Sequence, residues 1–156
     1  MGESEVKSIA LFFFFAFLDD RRAIEAAAQT VSAFKLKKKK NPESASAALI
    51  VMSTFAIWSK QHLKLNRGNP NFTNEAGWII PSDLDLGPWR EFQKLATRDE
   101  LLSVIWAKVL GFSETDIAWG LEISEGTVRY RLGRALPKLG SMAQGVSTKK
   151  LSSVKQ

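Results

Sequence analysis

Five phenylalanines stand within six consecutive positions near the start of the chain, and this run most limits how the chain can fold. They lie in the stretch IALFFFFAFL, residues 9–18, which is followed at once by the charged sequence DDRR. Burying one phenylalanine side chain contributes about 1.5–3 kcal/mol, so the fold must supply a large apolar surface around this stretch. We predict a helix that is buried on most of its circumference, with part of that surface belonging to another protein.

The same stretch is too short to cross a membrane, because a spanning helix needs about 20 apolar residues. One lysine and two glutamates precede it, and no small-residue cleavage site follows it, which is unlike a secretory signal peptide. The chain contains no cysteine, which excludes disulfides, thiolate metal sites and cysteine nucleophiles. We therefore expect a soluble, cytoplasmic protein that has no membrane partner.

Helical periodicity fills two segments of the chain, and a stretch rich in glycine, proline and asparagine separates them. This stretch, residues 65–88, reads LNRGNPNFTNEAGWIIPSDLDLGP, and about 20 residues without periodicity are unusual inside a compact domain. We predict an all-α protein with two small helical domains, residues 1–64 and 89–140. The stretch at 65–88 would link them, and residues 141–156 would form a flexible basic tail.

Local signals also predict where several elements begin and end. The sequence DDRR at residues 19–22 predicts a turn between two helices. The lysine run at residues 37–40, followed by Asn41 and Pro42, predicts a solvated loop. Pro137 is expected to end or kink the last helix. Four tryptophans are expected to pack in the core or between the domains: Trp78, Trp89, Trp106 and Trp119.

The stretch GFSETDIAWGLEISEGTVRYRLGRAL, residues 111–136, predicts two short helices joined by a three-residue turn. Ser113 and Ser124 stand at the positions that cap the two helices. Apolar side chains on the second helix recur at the spacing of a buried stripe, at Val128, Leu132, Ala135 and Leu139. This is the helix-turn-helix pattern of DNA-binding proteins.

The opposite side of the second helix carries the candidate binding residues. At about 100° per residue, Tyr130 and Arg134 point directly away from the apolar stripe. Arginine can bind guanine or clamp phosphate, and tyrosine can bond a phosphate or touch a thymine methyl. The alternative is an ordinary solvated face whose arginines pair with Glu122 and Glu125. The combined signals favour DNA contact, and the predicted DNA-binding residues are Ser124, Glu125, Thr127, Arg129, Tyr130, Arg131 and Arg134.

The charge and the residue inventory indicate binding rather than catalysis. The formal net charge of +6 suits a polyanion partner. His62 is the single histidine and lacks an obvious partner for acid–base or nucleophilic chemistry. We expect no metal site, no cofactor and no enzymatic activity.

The stretch at residues 111–136 resembles the promoter −35-recognising domain of bacterial RNA polymerase sigma factors. The family pattern is G-[LF]-S-x-x-[ED]-I-A-x-x-L-x-I-S-x-G-T-V-[KR]-x-R-L-x-R-A. The chain matches it at Gly111, Ser113, Ile117, Ala118, Leu121, Ile123, Ser124, Gly126, Thr127, Val128, Arg129, Arg131, Leu132, Arg134 and Ala135. The tract GTVRYRLGRA distinguishes this pattern from the helix-turn-helix of response regulators. Glu122 departs from it, since the family commonly carries glycine there.

The N-terminal segment is similar to the polymerase-binding domain of small sigma factors of the extracytoplasmic-function type. Five residues of FAFLDDRRAIEAAAQTVSAF fall in comparable places: Asp20, Arg21, Ala23, Gln29 and Phe34. Where the family carries acidic residues that face the polymerase, this chain has Ala26, Ala27 and Thr30. On the next helix, where the family melts and reads the −10 element, the aromatic and basic candidates are Trp58, Lys60 and His62.

The resemblance implies a sigma-factor-like transcription initiation protein that binds double-stranded promoter DNA at the −35 element. It also implies that the N-terminal domain binds RNA polymerase core. The departures keep other roles open. One is a divergent relative that acts as a DNA-binding regulator or a partner-binding module without promoter melting. Another is that the chain is itself an anti-sigma or adaptor protein. If the chain is a sigma factor, the phenylalanine-rich helix is where an anti-sigma or other protein partner would dock.

Overall fold

A computed structural model of the protein describes residues 2–62 and 86–146, with side chains to residues 61 and 140 respectively. The α-helices are α1 (Glu3–Phe17), α2 (Asp20–Lys40), α3 (Ser46–His62), α4 (Gly87–Leu95), α5 (Arg98–Val104), α6 (Glu114–Leu121) and α7 (Glu125–Val146). The predicted all-α class is confirmed. Most of the predicted linker, including Trp78, lies outside the described residues. None of the helices in the described segments combines the length and the apolar character needed to cross a membrane.

A tight turn separates α1 from α2. Leu18 leaves α1 in the left-handed conformation, with φ 53°. Asp19 then caps α2, since its Oδ1 accepts the backbone N–H groups of Arg21 and Arg22 at 3.1 and 3.2 Å. A turn between two helices is therefore present, as predicted, but it lies at Leu18 and Asp19, and the remaining DDRR residues already belong to α2.

The lysine run belongs to α2, so the loop predicted there is wrong. The helix continues to Lys40 and ends only at Asn41, the residue before Pro42. Positive side chains in the last turn interact favourably with the negative end of the helix dipole. This local electrostatic gain explains why the helix persists through a run of like charges.

Three of the five phenylalanines in the run are buried within the chain itself, while Phe15 and Phe17 are half-buried. Phe12 and Phe13 are fully buried and Phe14 is 2% exposed. Phe12 stacks on Trp106, with ring centroids 5.5 Å apart and an interplanar angle of 15°. The chain itself therefore supplies much of the apolar surface that this run needs, and the protein partner expected at α1 stays a prediction.

Hydrogen bonds join the N-terminal segment (residues 2–62) to the C-terminal segment (residues 86–146). Trp106 Nε1 donates to Thr54 Oγ1 at 3.0 Å, and Trp89 Nε1 donates to the carbonyl oxygen of Phe15 at 2.9 Å. A buried indole N–H needs an acceptor, and here each acceptor belongs to the other segment. Trp89 and Trp106 are buried in one hydrophobic core that includes both segments, so residues assigned by sequence to separate domains share a core.

α3 of the N-terminal segment and α6 of the C-terminal segment cross closely at Gly120. A Cβ atom at this position would lie 2.6 Å from the carbonyl oxygen of Ala48 and 2.7 Å from Val51 Cβ. Glycine is therefore required where the two helices cross. Trp119, the preceding residue, points to solvent and is 49% exposed, so the prediction that it packs in the core is wrong.

A π-helical turn, Ile105–Val109, follows α5 directly. The N–H of Leu110 bonds to the carbonyl oxygen of Ile105 at 2.9 Å, one residue farther back than in an α-helix. Ile105 and Trp106 are both buried at the start of this turn. Gly111, with φ 74°, then ends the segment in the left-handed region that glycine adopts freely.

The last helix passes through Pro137, so its predicted end near Leu136 is wrong. Proline costs an internal helix one backbone hydrogen bond. However, α4 and α5 both pack along α7, and such tertiary packing outweighs local propensity. As a result α7 continues to Val146, into the region predicted to be a flexible tail.

Candidate nucleic-acid interface

The three-residue turn predicted between α6 and α7 is present, and each helix is capped as expected. Ser113 Oγ accepts the N–H of Asp116 at 3.1 Å, and Ser124 Oγ accepts the N–H of Thr127 at 3.0 Å. In the turn itself, the N–H of Ile123 bonds to the carbonyl oxygen of Ala118 at 3.0 Å. These bonds fix the start of α7 relative to α6.

Glu122 ends α6 in the left-handed conformation, with φ 61° and ψ 45°. A residue with a Cβ atom pays roughly 1–2 kcal/mol for this conformation. Glu122, which departs from the glycine of the family pattern, therefore stands where the backbone conformation favours glycine. The turn nevertheless keeps its three-residue length.

One edge of α7 is buried and the opposite edge faces solvent. Val128 and Ala135 are fully buried and Leu132 is 7% exposed. On the other edge, Tyr130 is 65% exposed and the Arg134 side chain is 57% exposed. This is the orientation that a helix must have if it is to lie in a DNA groove with its polar edge toward the bases.

The seven predicted residues all lie on α7 or at its N-terminal cap, and most of them face solvent. The exposed ones are Ser124, Glu125, Arg129, Tyr130 and Arg134, and the half-buried ones are Thr127 and Arg131. Arg131 is turned toward α5 rather than outward, and only 24% of its side chain is exposed. It is therefore the least accessible of the three arginines.

Two of these arginines are paired with carboxylates of neighbouring helices. Arg129 Nη1 lies 3.0 Å from Glu114 Oε1 on α6, and Arg131 Nη2 lies 3.5 Å from Asp99 Oδ2 on α5. Neither partner is one that the sequence suggested. Both partners are distant in sequence, so only the packing of the helices brings them to α7.

The third arginine, Arg134, is held by a buried carboxylate. Its Nε lies 3.4 Å from Oε2 of Glu100, which is 3% exposed. Glu100 Oε1 also accepts hydrogen bonds from Lys138 Nζ at 2.7 Å and from the N–H of Thr97 at 3.0 Å. The two cations come from α7 and the carboxylate from α5, so Glu100 anchors one helix to the other.

Burial would raise the pKa of Glu100, but its hydrogen-bond donors and the neighbouring positive charges outweigh that effect. The hydrogen bond from Lys138, the N–H of Thr97, the charge of Lys138 and the Arg134 guanidinium together hold the pKa below its ordinary value. Glu100 is therefore ionised at neutral pH. Glu100 was not predicted as a functional residue. Its only local signal in the sequence is its position three residues after Thr97, which is the spacing of a capping box.

The pairing leaves the arginines able to contact a ligand. A guanidinium carries five N–H donors, and each of the ion pairs above uses one nitrogen. The Arg134 guanidinium also lies 5.9 Å from the centre of the Tyr130 ring. Arg134 and Tyr130 therefore present a cation and a phenol together on the exposed edge, held from behind by Glu100.

The N-terminal end of α7 is less favourable to phosphate than its serine cap suggested. Glu125 occupies the first turn of the helix, and its Oε2 accepts a hydrogen bond from Thr115 Oγ1 at 3.0 Å. This fixes a negative charge close to the free backbone N–H groups. Any phosphate at that end would have to lie to one side of Glu125.

Most residues compared with the polymerase-binding domain face the core. Ala26, Ala27 and Thr30, at the positions where the resemblance would place acidic residues, are 1%, 9% and 0% exposed. Trp58 is 3% exposed, while Lys60 is exposed and the His62 side chain lies outside the described residues. Three family positions expected at a polymerase contact and the aromatic −10 candidate are therefore buried here.

No family model matches this sequence, and no curated protein is significantly similar to it. Residues 2–62 and 86–146 also contain no group of three or more histidine, aspartate or glutamate side chains placed to hold a metal ion.

Proposed function

We propose that this protein binds double-stranded promoter DNA in the cytoplasm through α6 and α7, used as a helix-turn-helix of the sigma-factor type. α7 enters the major groove with Tyr130 and Arg134 toward the bases, and Arg129 contacts the backbone. The observation that carries the proposal is the orientation of α7, with Val128, Leu132 and Ala135 buried on one edge and Tyr130 and Arg134 exposed on the other. The match of this stretch to the −35-recognising pattern supports the same function.

The two sigma-related roles are a DNA-binding regulator and an initiation factor that melts promoters. The hydrophobic core that the N-terminal and C-terminal segments share favours the regulator. Moving the segments apart would expose Phe12 and Trp106, which are 0% and 1% exposed, and each large side chain brought into water costs about 1.5–3 kcal/mol. The burial of Ala26 and Thr30 supports the same choice, because neither can reach a polymerase surface. Full sigma activity, with core binding and initiation, is the second candidate.

The DNA-binding proposal predicts that Tyr130→Ala and Arg134→Gln each weaken binding to a selected duplex about 5- to 150-fold, the loss of one base-edge contact. The duplex is obtained by selection from a randomised library with the full chain, and affinity is measured by fluorescence anisotropy at a fixed salt concentration. If Arg134 contacts phosphate instead, Arg134→Gln should reduce the steepness with which the logarithm of the binding constant falls with the logarithm of the salt concentration, by about one.

Arg21→Gln provides the matched control, because Arg21 is exposed at the start of α2 in the other segment. We expect its affinity to stay within about twofold of the wild type, since one distant exposed charge adds little at physiological salt. Unfolding curves for each variant confirm that the fold is kept. Absence of any enriched sequence, or wild-type affinity in both α7 variants, would refute the proposal.

The choice between the two roles predicts weak affinity for RNA polymerase core. In transcription reactions with purified core enzyme and a library of promoter fragments, we expect no start sites that depend on this protein. The reason is that the corresponding N-terminal positions are buried and lack acidic groups. A tight one-to-one complex with core, accompanied by promoter-dependent transcripts, would instead establish the initiation role.

A further inference from the structure

A cavity of about 140 Å³ lies where α3, α5, the π-helical turn and the α6–α7 turn meet. Leu102 and Trp106, both 1% exposed, contribute to its lining, together with Phe55 of α3 and Ile123 of the turn. An engineered apolar cavity of about 150 Å³ holds a benzene molecule. The volume and the lining therefore suit one six-membered ring.

Two guanidinium groups and one carboxylate also line this cavity: Arg98, Asp99 and Arg131. Arg98 Nε lies 3.6 Å from Asp99 Oδ1, and Arg131 Nη2 lies 3.5 Å from Asp99 Oδ2. Good N–H···O hydrogen bonds measure about 2.7–3.2 Å, so Asp99 bridges both arginines without bonding either of them closely. Positive charge remains in excess on the polar side of a cavity whose lining is partly apolar and partly polar.

We propose that this cavity binds a small aromatic carboxylate of about the size of benzoate. The ring would lie among Phe55, Trp106 and Ile123, and its carboxylate would accept N–H groups from Arg131 and Arg98. A guanidinium binds a carboxylate through two parallel hydrogen bonds, which is a better arrangement than the long contacts to Asp99. The ligand carboxylate would thus compete with Asp99 for the same donors.

Such a ligand would also affect α7, because Arg131 and Ile123 belong to the helix and turn that position the candidate DNA-binding edge. This second part rests on the proposed function. By linkage, a ligand that changes DNA affinity must have its own affinity changed by DNA to the same extent. Ligand binding by the free protein does not depend on DNA and is tested separately.

Titration calorimetry of the full chain with sodium benzoate is expected to show saturable binding, with a Kd on the order of 1 mM or lower for a ligand of this size. Benzamide, which keeps the ring without the charge, and acetate, which keeps the charge without the ring, should each bind at least about tenfold more weakly. Tryptophan fluorescence of the chain, to which Trp106 in the cavity lining contributes, should change along the same binding curve.

Four variants test the residues. Arg98→Gln and Arg131→Gln should each weaken benzoate binding about tenfold or more, the equivalent of one lost charge-assisted contact. Asp99→Asn should strengthen it several-fold, because the competing negative charge is gone. Arg129→Gln, whose guanidinium pairs with Glu114 on another side of α7, should leave it unchanged.

Absence of saturable benzoate binding, equal binding of benzamide, or wild-type affinity in both Arg98→Gln and Arg131→Gln would overturn the proposed site. The coupling to DNA is tested by repeating the anisotropy titration of the selected duplex in the presence of saturating benzoate. A change in DNA affinity that is lost in Arg98→Gln supports the coupling, and an unchanged affinity refutes the coupling alone. If the selected duplex itself fails to bind, the proposed function fails while the calorimetric result stands.

Discussion

Gly120→Ala is expected to lower the free energy of unfolding by about 3 kcal/mol, at the upper end of the usual cost of overpacking. The added methyl group would lie 2.6 Å from the carbonyl oxygen of Ala48 and 2.7 Å from Val51 Cβ. The carbonyl of Ala48 belongs to the helical backbone in the first turn of α3 and cannot rotate away, so α3 and α6 must move apart. Chemical denaturation monitored by circular dichroism measures the change.

Gly133→Ala on α7 is the matched control, because a Cβ atom there meets nothing within 4 Å. Replacing an exposed helical glycine by alanine stabilises a helix by roughly 0.5–1 kcal/mol. The two substitutions are chemically identical and should have opposite signs. A Gly120→Ala protein as stable as Gly133→Ala would mean that α3 and α6 do not cross closely at this position.

Glu100→Gln is expected to lower the free energy of unfolding by about 2 kcal/mol at neutral pH. Breaking a fully buried ion pair costs about 3–5 kcal/mol, and we reduce this figure because 57% of the Arg134 side chain and 29% of the Lys138 side chain can still reach water. Glutamine keeps the size of the side chain and can still accept the N–H of Thr97. The loss of stability therefore measures the contribution of the negative charge. Asp99→Asn, next to it but 40% exposed, should cost less than about 1 kcal/mol.

The effect of Glu100→Gln should also depend on pH in one direction. A carboxyl whose pKa is lowered by folding stabilises the protein above its ordinary value of 4.5, and this stabilisation is lost as the pH falls through the lowered pKa. The difference between the wild type and Glu100→Gln should therefore be largest near neutral pH and shrink below 4.5. A difference that stays constant or grows in acid would contradict the ion-pair role of Glu100.

Features set by neighbouring residues could be predicted from the sequence. The caps at Ser113 and Ser124 and the turn at Ile123 depend on backbone bonds within a few residues, and the stripe at Val128 and Leu132 depends only on helical periodicity. These elements determine most of the orientation of α7. The exposed edge of the candidate interface followed from them directly.

Features set by contacts between distant helices could not be predicted. The partners of Arg131 and Arg134 lie on α5, and no local pattern places α5 beside α7. The close crossing at Gly120 likewise depends on α3, which is distant in the chain. Two local expectations also failed for physical reasons: the helix dipole extends α2 through the lysines, and packing against α4 and α5 carries α7 through Pro137.

The hydrogen bonds of the Trp89 and Trp106 indoles have a consequence for how the protein unfolds. Trp106 and Trp89 each donate a hydrogen bond to an acceptor in the other segment, so the interior of each segment is completed by side chains of the other. Neither segment has a complete hydrophobic core without the other. We therefore expect the two segments to unfold together, and a change that loosens the aromatic cluster of α1 to loosen the support beneath α7 as well.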